Sequence, residues 1–148
     1  MTMKSPPDRL NDIIARLRGR GCRITPQRVA IIKIFLGSLD HPSVEQVYAK
    51  VKADFPTTSL ATVYKTVNLL KEIGEVLEIG MAGGGSRYDG NKPYAHPHLI
   101  CTQCKTIIDP AIRSLAELTA EVAAVSGYQI VSHQVDFFGI CPACQVKP

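Results

Sequence analysis

The stretch SLATVYKTVNLLKEIGEVLEIGMAGGGSRYD, residues 59–89, changes its apolar period partway along. Leu60, Val63, Val67 and Leu70 recur every three or four residues, which predicts a helix with Ser59 as N-cap and Gly74 at its end. Over 75–79 the period drops to two, the mark of a strand. A Gly-rich turn over 81–86 then leads to a second strand at 87–89. The turn lacks the Gly-Lys-Ser/Thr of a phosphate loop, so it reads as a wing tip or a linker. A helix running into a two-stranded hairpin, with more helices before it, describes a winged helix-turn-helix.

Those earlier helices are legible. Leu10, Ile13, Ile14 and Leu17 share one face of a helix over 9–20. Thr25-Pro26 is a cap with Pro at the first helical position, opening a helix to Leu36. Ser43-Val44-Glu45-Gln46 fits a capping box for a third helix to about Asp54.

Beyond Asn91 the pattern changes again. Residues 96–101 and 105–109 read as strands joined by a Cys101-Thr-Gln-Cys104 turn. Ser114-x-x-Glu117 is a second capping box, opening a helix with Leu115, Leu118, Val122 and Val125 that Gly127 stops. Residues 128–140 alternate as one or two strands. The expected fold class is α+β: a winged helix-turn-helix DNA-binding domain over 1–84, then a small α/β zinc-containing dimerisation domain over 85–148. The second half buries little apolar surface alone, so a metal and a second copy of the chain are its expected supports.

Composition narrows the function. The 148 residues are 45% hydrophobic and 20% charged, a globular composition. This is too short for an α/β-barrel enzyme. No apolar run approaches the roughly 18 residues of a membrane helix, and the start has no signal core, which predicts a cytoplasmic protein without a membrane partner. Residues 1–82 carry net charge +4 and residues 83–148 carry none; 1–28 alone carry +5. A basic first half beside a neutral second half suggests nucleic acid. The cap and exposed face of the fourth helix present Ser59, Ala61, Thr62, Tyr64, Lys65 and Thr66, suited to major-groove edges and phosphates. Arg20, Arg23 and Arg28 flank the second helix as candidate phosphate or minor-groove contacts.

Two constellations point to metals. Cys101, Cys104, Cys141 and Cys144 form two Cys-x-x-Cys knuckles, the spacing that places four thiolates around one structural Zn(II). Cys22 is left over and reads as a small buried hydrophobe. His96 and His98 share one strand face. Folding the hairpin about Thr102-Gln103 pairs residues whose numbers sum to about 205, which sets Asp109 opposite His96. Two imidazoles and a carboxylate without sulfur suit Fe(II), Mn(II) or Zn(II). A pair of surface histidines with Asp109 as a turn cap is the alternative.

His96-Pro-His98-Leu-Ile-Cys101-Thr-Gln-Cys104, Asp109 and Gly139-Ile-Cys141-Pro-Ala-Cys144 resemble the ferric uptake regulator family. Ser59-Leu-Ala-Thr-Val-Tyr64, Gly21-Cys-Arg23-Ile-Thr-Pro-Gln-Arg28 and His41-Pro-Ser with Tyr48 match it too, so the resemblance spans about 10–145. It implies a dimeric, metal-dependent transcription repressor rather than an enzyme, bound to double-stranded DNA at an inverted-repeat operator. It implies zinc at the four cysteines and a regulatory Fe(II) or Mn(II) at His41, Asp89, His96, His98 and Asp109. It also brings Tyr64 and Lys65 to bases and Arg23 to the adjacent minor groove.

Asp at 109, where iron sensors often have Glu, resembles the peroxide-responsive branch, in which oxidation of a His ligand (His41 or His96) ends repression. Pro97 stands where iron sensors often carry an acidic residue, so His133 reads as structural or solvated. An iron- or zinc-availability sensor is the runner-up. The zinc branch usually uses a Cys that this set lacks. A metal-dependent hydrolase and a structural zinc adaptor are the rivals from other classes.

Overall fold

The computed structural model describes residues 4–81, 83–112 and 114–146. Ala82 of the Gly-rich turn and the start at 1–3 lie outside the described residues. The elements run α1 (Pro6–Gly19), α2 (Pro26–Gly37), α3 (Val44–Asp54), α4 (Leu60–Glu72), β1 (Leu77–Gly80), β2 (Ser86–Asp89), β3 (His98–Cys101), β4 (Ile107–Ile108), α5 (Leu115–Ser126), β5 (Asp136–Gly139) and α6 (Pro142–Gln145). This is the expected α+β order. Among the described residues no helix is long and apolar enough to cross a membrane.

The chain divides into two compact units between Tyr94 and Ala95. The expected boundary at 84/85 falls inside the β1–β2 hairpin, whose antiparallel register pairs Leu77 with Asp89 and Gly80 with Ser86. Backbone hydrogen bonds tie β2 to β1, so the wing belongs to the first unit whole.

In the first unit the helix starts behave as their sequences require. Thr25 and Ser59 each accept from the backbone N–H three residues on, at 3.2 Å. Ser43 and Gln46 close a reciprocal capping box. Ile13, Leu17, Ile32, Phe35, Val47 and Val67 are fully buried in a common core. Arg9 and Arg16 of α1 reach Glu75, just past α4, at 2.9 and 2.7 Å. Two details of α4 differ from expectation. Leu60 is exposed, because the first helical residue precedes the turn that faces the core. Thr66 is buried, completing the stripe of Val63, Val67 and Leu70, and its hydroxyl donates to the Thr62 carbonyl at 2.7 Å.

In the second unit β3 is central: antiparallel to β4 and parallel to β5. Parallel strands require a crossover, which α5 supplies. β4 is shorter than expected, since Lys105 adopts a left-handed φ of 64° that ends strand geometry. The hairpin pairs Leu99 with Ile108 and Ile100 with Ile107, a sum of 207. Continued outward, that register sets Asp109 opposite His98, not His96. Ser114 makes no side-chain cap. Only Asp136–Gly139 of the 128–140 run is a strand.

Candidate metal centres and nucleic-acid interface

The four paired cysteines lie in the second unit. Cys101 ends β3 and Cys104 follows it by one turn. Cys141 and Cys144 open and close the first turn of α6. Parallel pairing of Cys101 with Gly139 brings the knuckles together, and the Thr102 N–H donates to the Gly139 carbonyl at 2.8 Å. One sulfur from each residue lies within 4.8 Å of the rest. Cys104 and Cys141 Sγ are 3.8 Å apart. A tetrahedral zinc with Zn–S bonds of about 2.3 Å holds its sulfurs roughly 3.8 Å apart, so the residues fit that ion. The Cys141 backbone N–H, 3.4 Å from Cys101 Sγ, holds the Cys101 thiol down at about 6. Cys144, against the Cys141 sulfur and buried, is pushed up to about 12. Cys104 is lowered too, by its contact with the Thr106 hydroxyl, so two of the thiols ionise readily while crowding by the other sulfurs holds the proton on Cys144.

The same unit gathers His96, His98 and Asp109. Asp109 Oδ1 is 3.4 Å from His96 Nε2 and 3.8 Å from His98 Nε2, and the two rings are 4.4 Å apart. Convergence therefore holds although the register differs and His96 lies outside β3. Sequence reasoning missed Asp136. Its Oδ1 is 3.1 Å from His98 Nδ1, and its other oxygen accepts from Gln134 Nε2 at 2.9 Å. A carboxylate behind one ring nitrogen turns the other toward a metal. The parallel register His98↔Asp136 creates this contact, so no local pattern announces it. His133 is half-buried, and its Nε2 is enclosed with no hydrogen-bond partner among the described residues.

The first unit brings together His41 and Asp89, both buried, with Nε2 and Oδ2 3.2 Å apart. Asp89 Oδ1 accepts from the backbone N–H groups of Asn91 and Lys92 at 3.0 and 2.8 Å. This fixes the carboxylate after β2. Gly90 beside it is packed on α2: a Cβ there would lie 2.4 Å from the Phe35 carbonyl oxygen. His41 has a φ of 52°, a left-handed conformation that costs a non-Gly residue about 1–2 kcal/mol.

The helix face expected to meet DNA is on the same unit. Tyr64 is 41% exposed, and its hydroxyl donates to Glu45 of α3 at 3.0 Å. The Glu45 carboxylate raises the Tyr64 pKa, keeping the phenol a donor. Lys65 is exposed, and Ser59 and Thr62 share a 2.9 Å hydroxyl contact at the helix start. Arg23, Thr25, Gln27, Thr57, Thr62 and Lys65 line a groove at the N-terminal ends of α2 and α4. Arg28 lines the same groove while donating to the Arg23 carbonyl at 2.6 Å, whereas Arg20 pairs with Glu72 at 3.1 Å. Part of the N-terminal positive charge is thus engaged within the fold.

Known proteins resemble the chain along most of its length. The ferric uptake regulator family matches residues 19–138. The peroxide-responsive repressor PerR of Staphylococcus aureus (strain USA300) is 36% identical over 138 residues, 93% of each chain. The Helicobacter pylori ferric uptake regulator Fur, described as having three functional metal binding sites, superimposes with TM-score 0.83 at 25% identity, covering 93% of this chain and 95% of that one. The Campylobacter jejuni peroxide stress regulator gives 0.70 at 30% identity, covering 91% and 98%.

Proposed function

The chain belongs to the ferric uptake regulator family, and from that premise we propose that it is a dimeric, metal-dependent DNA-binding repressor that senses hydrogen peroxide. The observation that carries the metal dependence is the pair of preformed, incomplete ligand sets: His41 with Asp89 in one unit, and His96, His98 and Asp109 in the other. Neither alone fills a coordination shell of nitrogen and oxygen ligands. We assign all five to one regulatory Fe(II) or Mn(II), and the four cysteines to structural Zn(II). An ion that needs ligands from both units favours whichever arrangement supplies them, so metal and operator binding are coupled. Arg23, Ser59, Thr62, Tyr64 and Lys65 are the assigned DNA contacts. A two-fold dimer meets a two-fold, inverted-repeat operator.

The peroxide reading draws on the similarity to PerR, on Asp109 and on a ligand set without sulfur. When bound, Fe(II) would relay electrons from a ligand ring to peroxide and return to its starting state, so the ring is the net reductant and the O–O bond is the one that breaks. The chain's part is to present an imidazole, His41 or His96, that takes up one oxygen atom while the peroxide leaves as water. An oxidised ring is a poorer ligand, so the ion and then the operator are released. Asp109, with one methylene fewer than Glu, would hold the ion with Oδ1, the oxygen that faces both imidazoles, and its short arm would leave room for peroxide.

The test is operator release against peroxide dose for Fe(II)- and Mn(II)-loaded protein, with mass spectrometry for added oxygen on peptides holding His41 or His96. Release and an oxygen adduct are expected for Fe(II) alone. Asp109→Glu should keep metal-dependent DNA binding and respond sluggishly. If the Fe(II) protein stays on DNA at doses that spare its methionines, the chain senses iron supply instead.

A further inference from the structure

Arg87 has no part in either ligand set, yet its guanidinium is half-buried, and burial lowers its pKa. It lies on β2, two residues before Asp89, so both side chains leave the same face of the strand. Its Nε donates to the carbonyl of His41 and its Nη2 to the carbonyl of Asp40, the latter at 2.7 Å. The next residue of β2 extends the grip: the Tyr88 N–H donates to the Pro42 carbonyl at 3.0 Å. Three consecutive carbonyls of the loop are thereby tied to two consecutive residues of the strand. At the centre of that tie stands His41, in the left-handed backbone region that a non-Gly residue rarely occupies unaided.

We propose that Arg87 is a positioning residue for the regulatory metal: it holds the His41 backbone left-handed so that the imidazole stays beside Asp89. This rests on the assignment of His41 as a ligand. One side chain of β2 grips the main chain of His41 while another, Asp89, sits 3.2 Å from its ring. Arg suits the task because its planar fork spans two carbonyl oxygens at once, whereas the single ammonium of Lys satisfies one in that geometry. Without the fork the loop relaxes toward ordinary backbone angles and the imidazole leaves the position set by Asp89. The ligand is then present but no longer preorganised.

The experiment is a double-mutant cycle on the full-length, zinc-loaded protein, read as Mn(II) affinity from the free-Mn(II) paramagnetic resonance signal. Arg87→Met should fold, by circular dichroism, and bind Mn(II) about 10–100-fold more weakly, the usual effect of losing a group that orients a ligand. His41→Ala should weaken Mn(II) as well. Adding Arg87→Met to His41→Ala should change affinity by no more than about twofold, because the clamp acts only through His41. Arg87→Lys should fall between wild type and Arg87→Met, and it replaces Arg87→Met in the cycle if the latter does not fold. Wild-type Mn(II) affinity in the Arg87 variants would overturn the proposal, as would an equal loss with and without His41. If His41→Ala alone bound Mn(II) like wild type, the ligand assignment itself would fail and the clamp with it. The cycle therefore separates the two failures.

Discussion

The cysteine cluster shows how much one residue's surroundings decide. Cys101 and Cys144 are the same side chain at opposite ends of the thiol range, about 6 and about 12. The first has a backbone N–H pointed at its sulfur; the second has another sulfur against it. A zinc ligand must be a thiolate, so metal competes with protons for all four sulfurs. Zinc affinity is expected to decline steadily as pH drops, beginning well above the Cys101 range, because the thiols that hold their protons most tightly, Cys144 above all, must release them to bind. Cys101→Ser removes the most acidic thiol and should move zinc release to higher pH, with loss of structure in the second unit. A chromogenic chelator followed against pH measures both, and a zinc-free Cys101→Ser protein that stayed folded would refute the structural role.

At the scale of elements, β2 and α4 carry the first unit's function. β2 ends in Asp89, and its exit past Phe35 is open only to glycine. Gly90→Ala must push backbone against backbone, and overpacking of this kind costs typically about 1–3 kcal/mol. Its melting temperature should drop by several degrees, and Mn(II) affinity should fall with it because Asp89 moves. Calorimetry of the metal-free protein beside a Mn(II) titration tests both, and an unchanged melt would remove the packing argument. α4 presents Tyr64 at its exposed start while Val63, Thr66 and Val67 seat it in the core. Tyr64→Ala should cost about 1–3 kcal/mol of binding to the specific operator and little to random DNA. Arg23→Ala should weaken every sequence alike and lower the slope of affinity against salt by about one charge. Mobility shifts across a salt series distinguish the two. Equal behaviour of both variants on both DNAs would take α4 out of the reading role.

For the whole molecule, the contrast between the units is one of self-sufficiency. The first has a continuous buried core. In the second, no described residue of α5 is buried, and Leu118, Val122, Phe137 and Phe138 are about half exposed. Apolar surface left open on so small a unit is what a second copy covers in the proposed dimer, while zinc at the four cysteines would cross-link the two knuckles. Paired Leu118→Glu and Val122→Glu substitutions should convert a sedimenting dimer to a monomer and abolish operator binding while the first unit keeps its helicity. A dimer that survived both charges would place the interface elsewhere.

What the chain determined alone is whatever local chemistry encodes. The caps at Thr25, Ser43 and Ser59, the change of period after Gly74 and the two cysteine knuckles need only neighbours in sequence, and each appears where its residues require. His96, His98 and Asp109 were legible as a set because one hairpin joins them, although the pairing is offset by two from the expected sum. His41 and Asp89 carry no local signal and entered through family resemblance. The remainder belongs to tertiary structure. The parallel β3–β5 pairing sets Asp136 behind His98, a relation across 38 positions. Loop-to-strand hydrogen bonds set Arg87 on the carbonyl of His41 across 46. Side-chain periodicity reports which face a residue takes, but not which distant strand arrives beside it, because non-local pairing is chosen by the burial of the whole core.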